Sequence, residues 1–229
     1  MGVTEFQPYP FKRNALYWSY GSIRRHPRSV EKGSFMDKIK VMLVEDDPFW
    51  QRTLAEDLAG EPDLAVTHIA SAKEEACSLL EQAAVDVVLM DINLTENRLD
   101  GLEAAREIKL RSGRDVKVIM LTSLQEKEII VRSFQNGAHN YITKASYKDI
   151  VQAIRDAHAG RPALHPDAVP ALVQEIQLSQ LTPSERELYE MREKGYTRSQ
   201  ISSTLNKSIN TIKTQLRSIR EKLVNDKRD

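Results

Sequence analysis

Between Lys38 and Gly160 the chain alternates a short apolar run with a longer stretch of helical periodicity five times over, and few architectures accept that order. The runs lie at 41–44, 64–70, 85–90, 118–122 and 140–142, and the helical patterns at 48–58, 72–83, 101–111, 126–136 and 147–159. Runs such as "VVLM" and "VIML" are apolar throughout, the pattern of strands buried on both faces. Parallel strands joined by covering helices satisfy both features, so the expected fold class is α/β, a doubly wound five-stranded parallel sheet. Ser71-x-x-Glu74 reads as a capping box for the second helix, and Gly137 and Gly160 read as helix terminators.

In such sheets ligands meet the carboxyl ends of the strands. Glu45 and Asp46 end the first strand in "KVMLVEDDPFW", Asp91 the third, Thr122 the fourth and Lys144 the fifth. Adjacent carboxylates after an apolar run repel and lose hydration unless a cation offsets them. The other reading is a solvated turn, with Pro48 starting a helix and an acid capping it. Oxygen-only donors suit a hard cation such as Mg2+, and an ammonium and a hydroxyl opposite them suit a phosphoryl group. Together they describe Asp91 as nucleophile toward a phosphodonor, with Lys144 pairing with the transferred oxygens and Thr122 donating a hydrogen bond. Singly, Thr122 also reads as a strand-end hydroxyl, Lys144 as a solvated lysine and Tyr141 as simple core.

These motifs, in this order, closely resemble the receiver domain of bacterial response regulators over roughly residues 38–160. The resemblance implies a flavodoxin-like receiver with Asp91 as phosphoacceptor and a sensor histidine kinase as partner. It implies Mg2+ held by Glu45, Asp46, Asp91 and the backbone carbonyl of Asn93, and it puts Thr122, Lys144 and Tyr141 at switch positions. The family uses only the first two acids of such a run, which leaves Asp47 to the turn or cap before Pro48. Two departures stand out. "DINLTENRLDG" has no proline and places Gly101 ten residues after Asp91, two more than usual, and Ala145 follows Lys144 where the family usually has proline.

Pro162, Pro166, Pro170 and Pro183 mark a linker over residues 161–180, whose part at 169–178 is apolar enough for a short helix. From Leu181, "LTPSERELYEMREKGYTRSQISSTLNKSINTIKTQLRSIREKL" opens with Thr182 as cap, Pro183 in first position and Glu185 completing a box. Gly195 ends that helix, Thr197-x-x-Gln200 starts a second, and a third begins near Ile209. Ile209, Ile212, Leu216, Ile219 and Leu223 form its core stripe. Asn210, Lys213, Thr214, Arg217 and Arg220 lie opposite, as on a recognition helix or on an ordinary solvated face. The segment resembles the LuxR/NarL-type output domain and also the fourth region of sigma factors. The first resemblance implies a small all-α helix-turn-helix domain over 181–229 that binds DNA and regulates transcription, with Lys213, Thr214 and Arg217 toward the bases and Arg198 and Lys207 nearer the phosphates. It also implies a homodimer on phosphorylation, although the further helix that LuxR-type domains usually carry after the position of Leu223 is not evident. The second resemblance implies an adapter holding RNA polymerase or an anti-sigma partner.

Formal net charge is zero, but it divides. Residues 1–35 carry six basic and two acidic side chains, 36–160 carry 15 and 22, and 181–229 carry eleven and seven. An acidic middle avoids polyanions, and basic ends accumulate near them. The single cysteine, Cys77, offers neither a disulfide framework nor a Cys-based zinc site. With no apolar run long enough to span a bilayer, a cytoplasmic protein is expected. Residues 1–35 have no place in the receiver pattern: the expectation is either a mobile basic tail or a prefix outside the native protein, with Met36 as the start. The receiver occupies residues 36–160. The only chemistry encoded is self-phosphotransfer and loss of that phosphate, which describes a regulator rather than an enzyme.

Overall fold

The computed structural model describes residues 38–95, 99–111 and 115–224. The expectations for residues 1–35, and for the part of the lengthened loop at 96–98, lie outside these residues. The five expected strands form one parallel sheet: β1 (Ile39–Val44), β2 (Leu64–Ala70), β3 (Val87–Met90), β4 (Lys117–Thr122) and β5 (Asn140–Thr143), in the order β2-β1-β3-β4-β5. Val44 pairs with Met90, Met90 with Met120, and Thr122 with Thr143, so four strands end nearly level. That level edge is what gathers residues far apart in sequence.

Because strand side chains alternate between faces, each run feeds two cores. Val41, Leu43, Leu89 and Leu121 join Leu54 and Leu58 of α1 (Pro48–Ala59) and Ile150 and Ile154 of α5 (Ile150–His158). Met42, Val44, Met90 and Met120 join residues of α2 (Lys73–Gln82), α3 (Asp100–Arg111) and α4 (Lys127–Gln135). Each fully buried aliphatic side chain contributes about 1.5–3 kcal/mol relative to exposure, so the two cores hold the sheet edge in place.

Two local expectations are corrected. The helix expected from residue 147 begins as a 3-10 turn over Lys144–Asp149, with Ser146 at φ −101° and ψ 22°, before α5 proper. The tighter winding lets the chain leave β5 while Lys144 stays in the site. The capping box at Ser71 does not form: Ala72 is the N-cap, Glu75 accepts from the Ser71 backbone N–H at 2.8 Å, and the Ser71 hydroxyl accepts from Gln51 at 3.1 Å.

The linker helix α6 (Val169–Leu178) packs on α4. Ala171 belongs to the core beside α4, whereas Leu178 belongs to a third cluster with Leu181, Leu188, Ile201, Ile212 and Ile219. That third cluster is built by α7 (Pro183–Glu193), α8 (Arg198–Thr204) and α9 (Ile209–Val224). Both expected capping boxes, Thr182 with Glu185 and Thr197 with Gln200, are present. Asn206 takes a left-handed φ of 50° in the turn between α8 and α9, a conformation asparagine tolerates. Ile209, expected in the core, is 45% exposed. It stands at the first residue of α9, where side chains lean toward the helix start, and Ile212 is the first of the stripe to reach the core. No described helix is long and apolar enough to cross a membrane.

Candidate functional site

Glu45, Asp91, Thr122 and Lys144 converge at the carboxyl edge of the sheet, all four of them buried. Lys144 Nζ lies 2.7 Å from Glu45 Oε2 and 2.8 Å from Asp91 Oδ2, so one ammonium spans the ends of β1, β3 and β5. Asp46, beside Glu45, is exposed, and the carboxylates of Glu45, Asp46 and Asp91 place oxygens within 4.8 Å of one another. Of the two readings of the opening acids, clustering at a cation site therefore fits Glu45 and Asp46. The capping reading fits Asp47, whose Oδ1 accepts from the Phe49 N–H at 2.8 Å as the N-cap of α1. Asn93 lies on the loop just after β3, half-buried.

Electrostatics explain why the cluster survives burial. Loss of hydration, with Asp91 adding, pushes the Glu45 carboxyl up to about 7 although Lys144 pulls the other way. Burial works against the charged form of Lys144, yet its bonds to Asp91 and Glu45 hold it above the ordinary lysine value. Lys144 therefore stays charged and balances one of the two buried carboxylates. A carboxylate pair held by one ammonium is an oxygen-donor site with charge left to neutralise, and hard divalent cations favour that setting.

The shell around these groups was only partly visible in the sequence. Tyr141, fully buried, donates its hydroxyl to the Leu124 carbonyl at 2.7 Å, and burial raises its phenol above the usual value. Thr122 Oγ1 meets the Leu124 N–H at 3.4 Å. Gln51 Nε2 donates to the Glu45 carbonyl at 2.6 Å, fixing the backbone that carries the acids. Trp50 sets its ring centroid 5.2 Å from Lys144 Nζ. At Gly101 a Cβ would stand 2.0 Å from the Asp91 carbonyl oxygen, so the glycine is required by close approach. Gln51 and Trp50 gave no signal beyond their nearness to the acids. Gly101 gave one, a glycine following the loop after Asp91.

In the C-terminal segment, Asn210, Lys213, Thr214, Arg217 and Arg220 are all exposed on α9, as its spacing predicts. Arg217 is paired with Glu221 at 2.8 Å, and Thr214 donates to the Asn210 carbonyl at 3.0 Å. Arg198 is exposed, but Lys207 is half-buried and bonds Ser184 at 2.5 Å and Gln215 at 3.4 Å, which makes it part of the packing of this domain.

Comparisons with known proteins agree with this geometry. The response regulator receiver domain family matches residues 41–155, and the family described as Sigma-70, region 4 matches residues 177–223. Response regulator protein VraR of Staphylococcus epidermidis is 29% identical over 191 residues, covering 81% of this chain and 90% of that protein. A LuxR-family two-component response regulator from Aurantimonas is 30% identical with a TM-score of 0.55, over 61% of this chain and 98% of that one. An RcsB–DNA complex, 20% identical, shares the fold at a TM-score of 0.62 over 82% of this chain and 92% of that one. The first match spans half of the residues and contains the whole buried cluster, so the chain belongs to the response regulator receiver family and carries a helix-turn-helix output domain at its carboxyl end.

Proposed function

We propose that Asp91 accepts a phosphoryl group from a phosphohistidine of a sensor histidine kinase, and that this state controls the C-terminal domain. The observation that carries the reading is the Lys144 ammonium held at 2.8 Å from Asp91 in a buried site. An Asp91 oxygen attacks phosphorus, the P–N bond to the donor imidazole breaks, and an acyl phosphate remains. Lys144 supplies a fixed positive charge for the arriving oxygens, and the Thr122 hydroxyl supplies a donor. Glu45, Asp46, Asp91 and the carbonyl of Asn93 would hold Mg2+, which when bound neutralises charge on the transferred group. Tyr141 and Thr122, which both contact Leu124, would report the phosphorylated state to the start of α4. Incubation with a small phosphodonor and Mg2+ should add one phosphate, read by mass spectrometry, and Asp91→Ala should abolish it. Equal phosphate uptake by the variant would refute the assignment.

For the output domain, five exposed polar and basic side chains on α9 support DNA binding in the major groove, with Lys213, Thr214 and Arg217 toward the bases. The RcsB relative was solved on DNA, and another RcsB structure describes dimers bound to DNA. The reading is therefore a cytoplasmic transcription regulator that forms a homodimer when phosphorylated. Light scattering with and without phosphodonor tests the association. One observation favours a second reading: the C-terminal match is to Sigma-70, region 4, which suits an adapter holding RNA polymerase. Selection of DNA by the phosphorylated protein separates the two, because the adapter shows negligible DNA affinity at physiological salt.

A further inference from the structure

We infer that Trp50 is a positioning residue for phosphoryl transfer, acting through Lys144, an inference that rests on Asp91 being the phosphoacceptor. Lys144 carries its charge on a flexible four-carbon stem with rotatable donors. Two of its anchors are Glu45 at 2.7 Å and Asp91 at 2.8 Å, and both acids belong to the oxygen cluster that fits a cation. Any cation drawn to those acids competes with the ammonium for them. A contact independent of both acids is the indole of Trp50, whose centroid lies 5.2 Å from Nζ, within the ~6 Å reach of a cation–π interaction. Lys144 is only 8% exposed, so little water weakens that contact.

The ring in turn packs against two aromatic neighbours. Tyr147 meets it edge-on, with centroids 5.8 Å apart and planes at 73°, and Phe49 does the same at 5.8 Å and 79°. Tyr147 lies in the same 3-10 turn as Lys144, so one short segment carries the ammonium and also contacts the ring. On the other side, the Asp47 cap and Pro48 fix the first turn of α1, which carries Trp50. The indole thus gives the ammonium a resting place beside Asp91 that persists when the acids are engaged elsewhere.

The test is a double-mutant cycle read on the rate of Asp91 phosphorylation by a small phosphodonor with Mg2+. Trp50→Leu should slow the reaction about tenfold, a factor that 1.36 kcal/mol per decade puts within the range of a desolvated cation–π contact. Trp50→Phe, which keeps an aromatic face, should recover most of the rate. In a Lys144→Met background, neither Trp50 variant should slow the residual rate further. If Trp50→Leu is as fast as the parent, or slows the Lys144→Met protein by the same factor, the inference is overturned. Should Trp50→Leu fail to fold, Trp50→Phe decides alone: about two- to threefold slower with Lys144 and unchanged without it supports the role, and equal effects in both backgrounds overturn it. The Asp91→Ala control separates the two claims, since phosphate on that variant refutes the phosphoacceptor itself and leaves Trp50 without a reaction to assist.

Discussion

Asp167, in the segment leading to α6, accepts hydrogen bonds at 2.8 Å from both the backbone N–H and the hydroxyl of Thr143, the residue immediately before Lys144. His165, two residues earlier, donates its own N–H to Asn140 at 2.9 Å and sets its ring against Asp149 at 3.0 Å. The linker is therefore fastened to β5 and the turn after it, the same turn that presents the lysine to Asp91. Burial opposes the charged Asp167 carboxylate, but the two Thr143 bonds, His165 and Ser146 together outweigh it and hold the group below the usual value.

Asp167→Ala should release this attachment. Loss of charge-assisted bonds of this kind costs about 1.5–3 kcal/mol. Amide exchange in Val169–Leu178 should accelerate while β1 and β3 keep their protection. Unchanged exchange in α6 would show that packing on α4 alone holds the linker.

Gly101→Ala should damage the site more than its size suggests. A Cβ 2.0 Å from the Asp91 carbonyl oxygen, with the Ile92 Cα at 2.7 Å, must push the loop after β3 outward. Overpacking costs about 1–3 kcal/mol, and the displaced backbone here carries Asp91, the proposed phosphoacceptor. The expected result is a lower melting temperature together with at least a tenfold slower phosphorylation. A variant with wild-type kinetics would mean that the loop moves without Asp91.

The C-terminal domain should have its own acid limit. Glu185 accepts from Thr182 N–H at 2.9 Å, Ser218 at 2.8 Å and Lys222 at 2.6 Å, and Lys222 first among these lowers its carboxyl from 4.5 to about 2. A folded value below the unfolded one gives stability that is complete above about pH 4.5 and is lost as the pH falls toward 2. Amide exchange in α7 and α9 should rise through that window. Glu185→Gln should flatten the pH response, and Glu185→Ala should cost about 2–4 kcal/mol at neutral pH. A pH profile identical in Glu185→Gln would assign the acid sensitivity elsewhere.

On DNA, base-reading and phosphate-binding residues should give different signatures. Arg217→Ala or Lys213→Ala should relax preference at one or two positions, by about 1–3 kcal/mol each. Arg198→Ala should weaken all sequences alike and reduce the salt slope by about one unit. Lys207→Ala should act mainly on folding, because its ammonium is spent on Ser184 and Gln215. An unchanged selected motif and affinity in both Arg217→Ala and Lys213→Ala would favour the adapter reading.

The alternation of apolar runs and helical patterns, the acids after the first run and the two Thr-x-x-Glu/Gln boxes were legible from the chain alone, because local periodicity and capping depend on neighbours three or four residues away. So was the set Glu45, Asp46, Asp91, Thr122 and Lys144, since each ends a recognisable strand. Only the tertiary structure decided what these groups do to one another. Lys144 meets Asp91 across 53 residues of chain and Asp167 meets Thr143 across 24, and no local pattern encodes such a distance. The same holds for Ser71, whose capping motif gave way to a bond from Gln51, and for Lys207, whose charge turned inward to Ser184. Hydrogen-bonding groups choose among partners that packing brings near, and in this chain those partners arrive from other elements.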